Sequence, residues 1–345
     1  MRIIYWNNSC LEPEIEAISK EVFQLARHFQ GSWLFGINPH YLLRWSLRNR
    51  YIGFHPSFDP ILRVLIPLVE RYADINHVYG EACPWIFYKT VKRRPLVLTI
   101  ASEKGEGNCE FFDRCRKIIV QTEHYRKKLL ALGIENKKVE LLYPGLNLSC
   151  FEPILRPQGI QGTPMVLFAT APRAREEMEG RGVNLLLQAA KEGSDIHFHL
   201  LYRPWRTGYT SLKPTKDFIA TQNLKNVTLT NTVVHDMSTV YREFHFLVIP
   251  FTRSDGGKEC PTSLIEGLAC GLPVLISSVS PFAYFIEQHQ CGVVFEPTPS
   301  GLIQAVEKGM RQYAELSLNG ITAARAHFSE ANVLKRLERI YREVA

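Results

Sequence analysis

The segment 254–276 holds the residue types and spacing that point most directly to chemistry. Gly256 and Gly257 predict a flexible loop, and Pro261 suits the first turn of a helix. Gly271 is typical of the position just after a helix end. Together these residues predict a loop, a short helix and then a strand.

The start of this predicted helix combines free backbone donors with hydroxyl groups. The first N–H groups of a helix have no partner within it, and the helix dipole adds positive potential there. With the hydroxyls of Thr262 and Ser263, the backbone from Pro261 to Ser263 predicts a site for a diphosphate. Glu266 lies about one turn beyond Ser263, where its carboxylate can accept hydrogen bonds from a ribose diol. The alternative is an ordinary helix start with a nearby surface glutamate.

Short apolar strands alternate with helical patterns along the chain, whose 345 residues suggest about two domains. A segment rich in proline and glycine at 153–164 predicts a linker between them. Alternating strands and helices predict an α/β fold with two parallel sheets, and ligands are expected in a cleft at the carboxyl ends of the strands. The predicted strands are 2–6, 95–100, 117–120, 165–169, 197–202, 227–229, 246–250 and 273–277, and the clearest helices of the first half are 13–29 and 123–132.

Several segments resemble, in the right order, the retaining glycosyltransferases of family 4, also described as glycosyl transferases group 1. The most specific is the run Gly-Leu-Ala-Cys-Gly-Leu-Pro-Val at 267–274. The resemblance implies the GT-B fold, with two Rossmann-like parallel-sheet domains facing across a cleft. The implied parts are an acceptor domain at 1–155, a nucleotide-sugar domain at 156–325 and a helix at 326–345 that crosses back to the first domain. The other similar segments are 115–123, 139–151, 226–250 and 324–344.

The resemblance implies transfer of a sugar, with retention of configuration, from a nucleotide diphosphate donor to a glycan or lipid-linked acceptor. No Asp is followed two positions later by another Asp, so we expect a metal-independent reaction with no cofactor besides the nucleotide diphosphate sugar as co-substrate. Arg181 stands at a usual lysine position and is expected to neutralise the leaving diphosphate, with Arg173 or Arg175 as further candidates. Val234, beside Val233, is expected near the base. The other expected donor-binding residues are Gly257, Pro261, Thr262, Ser263 and Glu266.

Two positions depart from the family pattern. Lys258 stands where the family's first carboxylate is expected, and Glu259 is adjacent. Either Glu259 contacts the donor sugar after a loop shift, or Lys258 recognises a different sugar, such as an acidic one. Ala101 stands where the family often has a histidine, so no catalytic histidine is evident in the first domain. The candidates for acceptor contacts are His77, Ser102 and Glu103, with a packed or surface role as the alternative for His77.

The positive charge is concentrated in the first half of the chain. Residues 1–150 contain 21 Lys and Arg against 15 Asp and Glu, whereas residues 151–345 contain 20 against 19. This asymmetry suggests an anionic partner, either a lipid surface or a nucleic acid. The segment 41–54 interleaves arginines with aromatic and aliphatic residues, as an interfacial segment does. The alternative for this segment is an amphipathic helix packed on its own sheet.

The order of the similar segments is not explained by nucleic-acid binding, so no nucleic-acid partner is expected. The start of the chain does not resemble a signal peptide, so the expected location is the cytoplasm. If the chain binds lipid, we expect it to be a peripheral protein at the inner face of the membrane. A nucleotide-dependent dehydrogenase is disfavoured, because no GxGxxG follows the first strand. Two alternatives stay open: a catalytically degenerate protein that binds sugar nucleotides or glycans, and a sugar-nucleotide epimerase on the same fold.

Overall fold

The computed structural model describes residues 1–8, 10–11, 16–82, 87–92, 95–102, 109–155, 160–205 and 208–345. The chain divides into two compact units. Unit 1 comprises Met1–Pro144 and Val333–Ala345, and unit 2 comprises Gly145–Asn332. The predicted α/β class with two parallel sheets is confirmed, because each unit contains one such sheet.

The sheet of unit 1 has eight strands among the described residues, in the order β3-β4-β2-β1-β5-β6-β7-β8. All neighbouring strands are parallel except the antiparallel pair β3 and β4 at one edge. The strands are β1 Ile3–Asn7, β2 Trp33–Ile37, β3 Leu43–Ser46, β4 Tyr51–Phe54, β5 Ile75–Glu81, β6 Leu96–Ser102, β7 Lys117–Val120 and β8 Val139–Leu141. The helices are α1 Ala17–His28, α2 Asp59–Val69, α3 Phe87–Thr90, α4 Cys109–Arg114 and α5 Glu123–Ala131.

The edge pair of unit 1 corrects one expectation. The segment 41–54 forms a β-hairpin, so the alternative of an amphipathic helix is wrong. Tyr51 packs into the core on one face of the sheet and Phe54 packs against the core on the other. The alternation of side chains along this strand therefore has the two-residue period of a sheet.

The sheet of unit 2 has six parallel strands among the described residues, in the order β11-β10-β9-β12-β13-β14. The chain builds outward from β9 in one direction, then crosses to β12 and continues in the other. The strands are β9 Met165–Phe168, β10 His197–Tyr202, β11 Val227–Asn231, β12 Phe246–Ile249, β13 Val274–Ser277 and β14 Gly292–Phe295. The helices are α6 Glu177–Gly180, α7 Val183–Glu192, α8 Leu212–Thr221, α9 Met237–Tyr241, α10 Thr262–Ala269, α11 Ala283–Gln288, α12 Pro299–Arg311 and α13 Tyr313–His327.

The last helix, α14 (Glu330–Val344), joins the core of unit 1 through its second half. Its Leu337, Ile340 and Tyr341 are buried in the same apolar cluster as Tyr5 of β1. The hydroxyls of Tyr5 and Tyr341 are 3.0 Å apart, a distance that fits a hydrogen bond. No helix within the described ranges has both the length and the apolar content needed to cross a bilayer.

Candidate functional site

The candidate site lies at the carboxyl ends of β9 and β12, where the strand order of unit 2 reverses direction. Open α/β sheets bind ligands at such a switch point. The connection between α6 and α7 is held there, because the N–H of Thr252 donates to the carbonyl of Gly180 over 3.1 Å. Gly182 has φ +73°, and a Cβ at this position would collide with the carbonyl oxygen of Pro250. Only glycine lets this connection approach the end of β12 so closely.

Arg181, one residue before Gly182, is brought to this switch point. Its Nη1 donates to the carbonyl of Thr170, just beyond β9, over 3.1 Å, and its Nε lies 3.5 Å from the Glu177 carboxylate. Arg181 Nε and Thr170 Oγ1 are buried and make no hydrogen bond to any residue in the described ranges. A buried polar group without a partner is rare and costly, so both atoms fit a ligand that supplies the missing hydrogen bonds.

The electrostatics of Arg181 follow from its surroundings. Burial lowers the pKa of the guanidinium below its ordinary value. The Glu177 carboxylate raises this pKa, and the Arg203 guanidinium lowers it again. A partly desolvated cation next to a second cation gains most from an incoming anion.

The start of α10 places its first backbone N–H groups beside the half-buried hydroxyls of Thr262 and Ser263. Pro261 is the N-cap residue with an extended backbone, φ −62° and ψ 131°, rather than a residue of the first turn as predicted. The side chain of Pro261 makes no capping hydrogen bond to this helix. Leu264 donates its N–H to the Pro261 carbonyl, so the first helical N–H groups belong to Thr262 and Ser263. The anion site at this helix start stays a prediction.

Glu266 is oriented by a tyrosine that sequence reasoning missed. Glu266 is only 4% exposed, and its Oε2 accepts a 2.9 Å hydrogen bond from the hydroxyl of Tyr241 in α9. Burial first, and then the Glu266 charge, raise the pKa of Tyr241 well above its ordinary value. The phenol therefore stays protonated and remains a donor to the carboxylate. No local sequence pattern marks Tyr241, because the two residues come from different helices.

The two candidates for contact with the donor sugar lie in the loop before α10 and differ in burial. A Cβ on Gly257 would lie 2.7 Å from the ring of Phe251, so the loop requires glycine at this point. Lys258 is half-buried, whereas Glu259 is completely buried. Lys258 is therefore the more accessible of the two, and the choice between Lys258 and Glu259 as the contact to the donor sugar stays a prediction.

The remaining donor candidates lie in other connections of unit 2. Arg173 donates its backbone N–H to Glu177, and its guanidinium lies 5.8 Å from the ring centroid of Trp205. Arg203 lies at the same distance from that ring. Arg173 is thus engaged in a cation–π cluster, whereas Arg181 is bonded at the end of β9. Arg175 is exposed, and Val233 and Val234 are half-buried between β11 and α9.

The structure corrects the acceptor role predicted for His77. The imidazole is completely buried in the middle of β5, with Nδ1 at 2.6 Å from the hydroxyl of Tyr341 and Nε2 at 2.7 Å from that of Thr99. Burial lowers its pKa to about 3, so it stays neutral at physiological pH. Because the whole ring is packed inside unit 1, it is not available to a substrate.

A polar pair that the sequence analysis did not single out lies at the switch point of unit 1, between β1 and β5. The amide of Asn8 donates to the carboxylate of Glu81 over 2.8 Å. Ser102 pairs with Glu81 across β5 and β6, so this predicted residue lies at the same edge, although it is only 6% exposed. Glu103 lies outside the described residues. The position of the pair at a strand end is the signal that could have identified it.

Comparisons with known proteins agree with this architecture. Residues 164–312 match the family model described as glycosyl transferases group 1. The fold is similar to that of HepE from Anabaena in complex with UDP, at 12% identity over 99% of this chain and 100% of that chain, with a TM-score of 0.78. It is also similar to a glycosyltransferase from Rickettsia africae, at 16% identity over 99% and 98% of the chains and a TM-score of 0.76.

A third similar structure is sucrose-phosphate synthase from Thermosynechococcus elongatus, at 15% identity over 99% of each chain and a TM-score of 0.74. No curated protein matches the sequence significantly. At these identities the structural likeness shows the fold alone, which is the predicted GT-B arrangement of two Rossmann-like α/β domains.

Proposed function

Since residues 164–312 form a glycosyl transferases group 1 domain, we propose that the chain is a glycosyltransferase that moves a sugar from a nucleotide diphosphate donor. The observation that carries the proposal is the half-buried Arg181 at the switch point of unit 2, whose buried Nε–H makes no hydrogen bond within the described chain. HepE, which shares the fold, has been solved with UDP and with UDP-glucose, so uridine donors are the first to test.

The proposed chemistry assigns a separate task to each group. Cleavage of the bond between sugar and diphosphate builds negative charge on the leaving phosphate, and Arg181 with the start of α10 would stabilise that charge. Glu266, held by Tyr241, would accept hydrogen bonds from the ribose, and Lys258 would contact the sugar. We further propose that configuration is retained, with a donor phosphate oxygen taking the acceptor proton, and that no metal takes part.

The acceptor is proposed to be a glycan or a lipid-linked molecule bound by unit 1. With His77 packed inside the unit, the polar pair of Asn8 and Glu81 becomes the candidate for acceptor hydroxyls. The pair lies at a switch point, and a carboxylate that already accepts one hydrogen bond can accept others. A cytoplasmic location and contact with an anionic membrane belong to the same proposal.

The experiment is a panel of UDP-, GDP- and ADP-sugars, incubated with glycan and lipid-linked acceptors and analysed for released nucleoside diphosphate and for the anomeric configuration of the product. We expect acceptor-dependent release with the donor configuration retained. An epimerase would interconvert the donor without releasing the diphosphate. Donor binding without either reaction would contradict the proposal and support the degenerate binding protein that Lys258 and Ala101 suggest.

A further inference from the structure

The outer face of α2 carries an apolar stripe. Ile61, Val64, Leu65 and Leu68 follow the spacing of one helix face and are 52%, 65%, 39% and 47% exposed. The opposite side of the same helix is also apolar, because Leu62 and Ile66 are buried in the core of unit 1. Apart from the ion pair of Asp59 and Arg63, the helix is therefore apolar around most of its circumference, as is normal for a helix enclosed in protein or lipid.

The β3–β4 hairpin adds a second apolar area on the same side of the sheet. Trp45 pairs with Ile52 and Leu43 pairs with Phe54, and residues directly opposite in an antiparallel pair point to the same face. Phe54 packs against the core cluster that contains Leu62 of α2. The exposed apolar residues of the hairpin are Leu42, Leu43, Trp45 and Leu47, at 69%, 55%, 64% and 67%.

These eight residues, Leu42, Leu43, Trp45, Leu47, Ile61, Val64, Leu65 and Leu68, are named the docking face here. Next to the hairpin lies a pocket of about 410 Å³, lined by Trp33, Leu43, Trp45, Ile52 and Phe54 among others. Large exposed apolar patches on a folded protein mark sites of interaction. Tryptophan in particular is enriched where apolar and aqueous phases meet.

The charges around the docking face favour an anionic partner. Arg48 and Arg71 are exposed in the same segments as the apolar residues, whereas Arg44 alternates with Leu43 and Trp45 and points to the other face of the hairpin. Residues 40–72 contain only two acidic residues: Asp59, ion-paired with Arg63 at 2.8 Å, and Glu70, which is completely buried. The surface charge that remains is positive. Apolar side chains bordered by arginines are the combination that binds anionic lipid interfaces.

We propose that the docking face binds the surface of a membrane that contains anionic lipids. The apolar residues would enter the boundary between headgroups and acyl chains, and the arginines would meet the headgroups. A second copy of the chain fits less well, because a two-fold pair of this face would place its arginines opposite one another. This inference rests on the surface of unit 1 and does not depend on transferase activity.

The test is flotation of the full chain with phosphatidylcholine vesicles that contain phosphatidylglycerol, compared with phosphatidylcholine alone. The variant Leu65→Glu with Leu68→Glu is expected to reduce vesicle binding by about a hundredfold, about tenfold for each leucine withdrawn from the interface. Leu318→Glu in unit 2, where the leucine is 57% exposed, is the matched control and should bind as the wild type does. The thermal unfolding of all three proteins checks that each is folded, and nucleotide binding checks unit 2 separately.

Three results would overturn the proposal. The wild type could fail to float with anionic vesicles, or it could float equally well after both leucines are replaced. It could also self-associate in sedimentation, with the association abolished by the double replacement, in which case the docking face binds a second copy. Binding that needs phosphatidylglycerol, weakens with salt and is lost in the leucine variant supports the proposal.

Discussion

The two sheets follow a similar plan, yet their switch points carry different chemistry. In unit 2 the edge holds the half-buried Arg181 and the start of α10. In unit 1 the side chain of Asn8 at the corresponding edge donates to the carboxylate of Glu81. The excess of positive charge nevertheless lies in residues 1–150. The proposed anion site of unit 2 therefore rests on local geometry and not on the net charge of its region.

Removal of the Arg181 guanidinium should have the largest effect on the difference between the two switch points. Arg181→Ala is expected to lower kcat by about 10²- to 10³-fold, because charge stabilisation of the leaving group is lost. Steady-state kinetics measure this change. Arg311→Ala, which removes an exposed arginine at the end of α12, is the control and should retain full activity. Equal activity of the two variants would mean that a group other than Arg181 stabilises the charge of the leaving group.

Neutralisation of Glu266 tests the part of the unit 2 site that is proposed to bind the ribose. Glu266→Gln is expected to weaken nucleoside diphosphate binding by about ten- to hundredfold, because a charge-assisted hydrogen bond becomes a neutral one. Titration calorimetry with the diphosphate and its 2′-deoxy form tests the assignment. The variant should lose most of the preference for ribose, whereas Glu307→Gln on the exposed face of α12 should keep it. A ribose preference unchanged by Glu266→Gln would contradict the role.

The buried His77 predicts a pH dependence that belongs to unit 1. Because burial lowers its pKa from 6.5 to about 3, the unfolded chain binds a proton between these values that the folded chain does not. The free energy of unfolding should therefore fall as pH drops below about 6.5, by about 1.4 kcal/mol per pH unit from this group. Urea unfolding of wild type and His77→Gln over this range measures the difference in slope. Parallel curves would show that His77 does not contribute.

The smallest expected effect concerns the tyrosine that orients Glu266. Tyr241→Phe removes one hydroxyl and leaves the ring packing intact, so we expect about three- to tenfold weaker nucleotide binding. The same calorimetric titration measures this loss. In the Glu266→Gln background the additional effect of Tyr241→Phe should shrink, because the two residues act through one hydrogen bond. Full additivity would mean that they act independently.

The parts that sequence predicted best are those specified by local pattern. The strands Lys117–Val120 and His197–Tyr202 lie at their predicted bounds. The first is a short apolar run, the second alternates between half-buried and buried residues, and both have clear ends. The start of α10 was located within one residue, although Pro261 proved to be the N-cap.

The parts that sequence missed depend on contacts between distant residues. Tyr241 and Glu266 are 25 positions apart, and His77 and Tyr341 are 264 positions apart, so no local period joins them. The docking face was anticipated only as an interfacial segment at 41–54. The part contributed by α2 was missed, because a run of apolar residues predicts a buried helix. Only the structure shows which of its residues are exposed.

The most direct test of the central claim is a calorimetric comparison of nucleoside diphosphate and monophosphate binding to the wild type and to Arg181→Ala. If the switch point of unit 2 binds the diphosphate, the wild type prefers the diphosphate and the variant loses most of that preference while still binding the monophosphate. If both proteins discriminate equally, or if neither binds a nucleotide, the proposed site is contradicted.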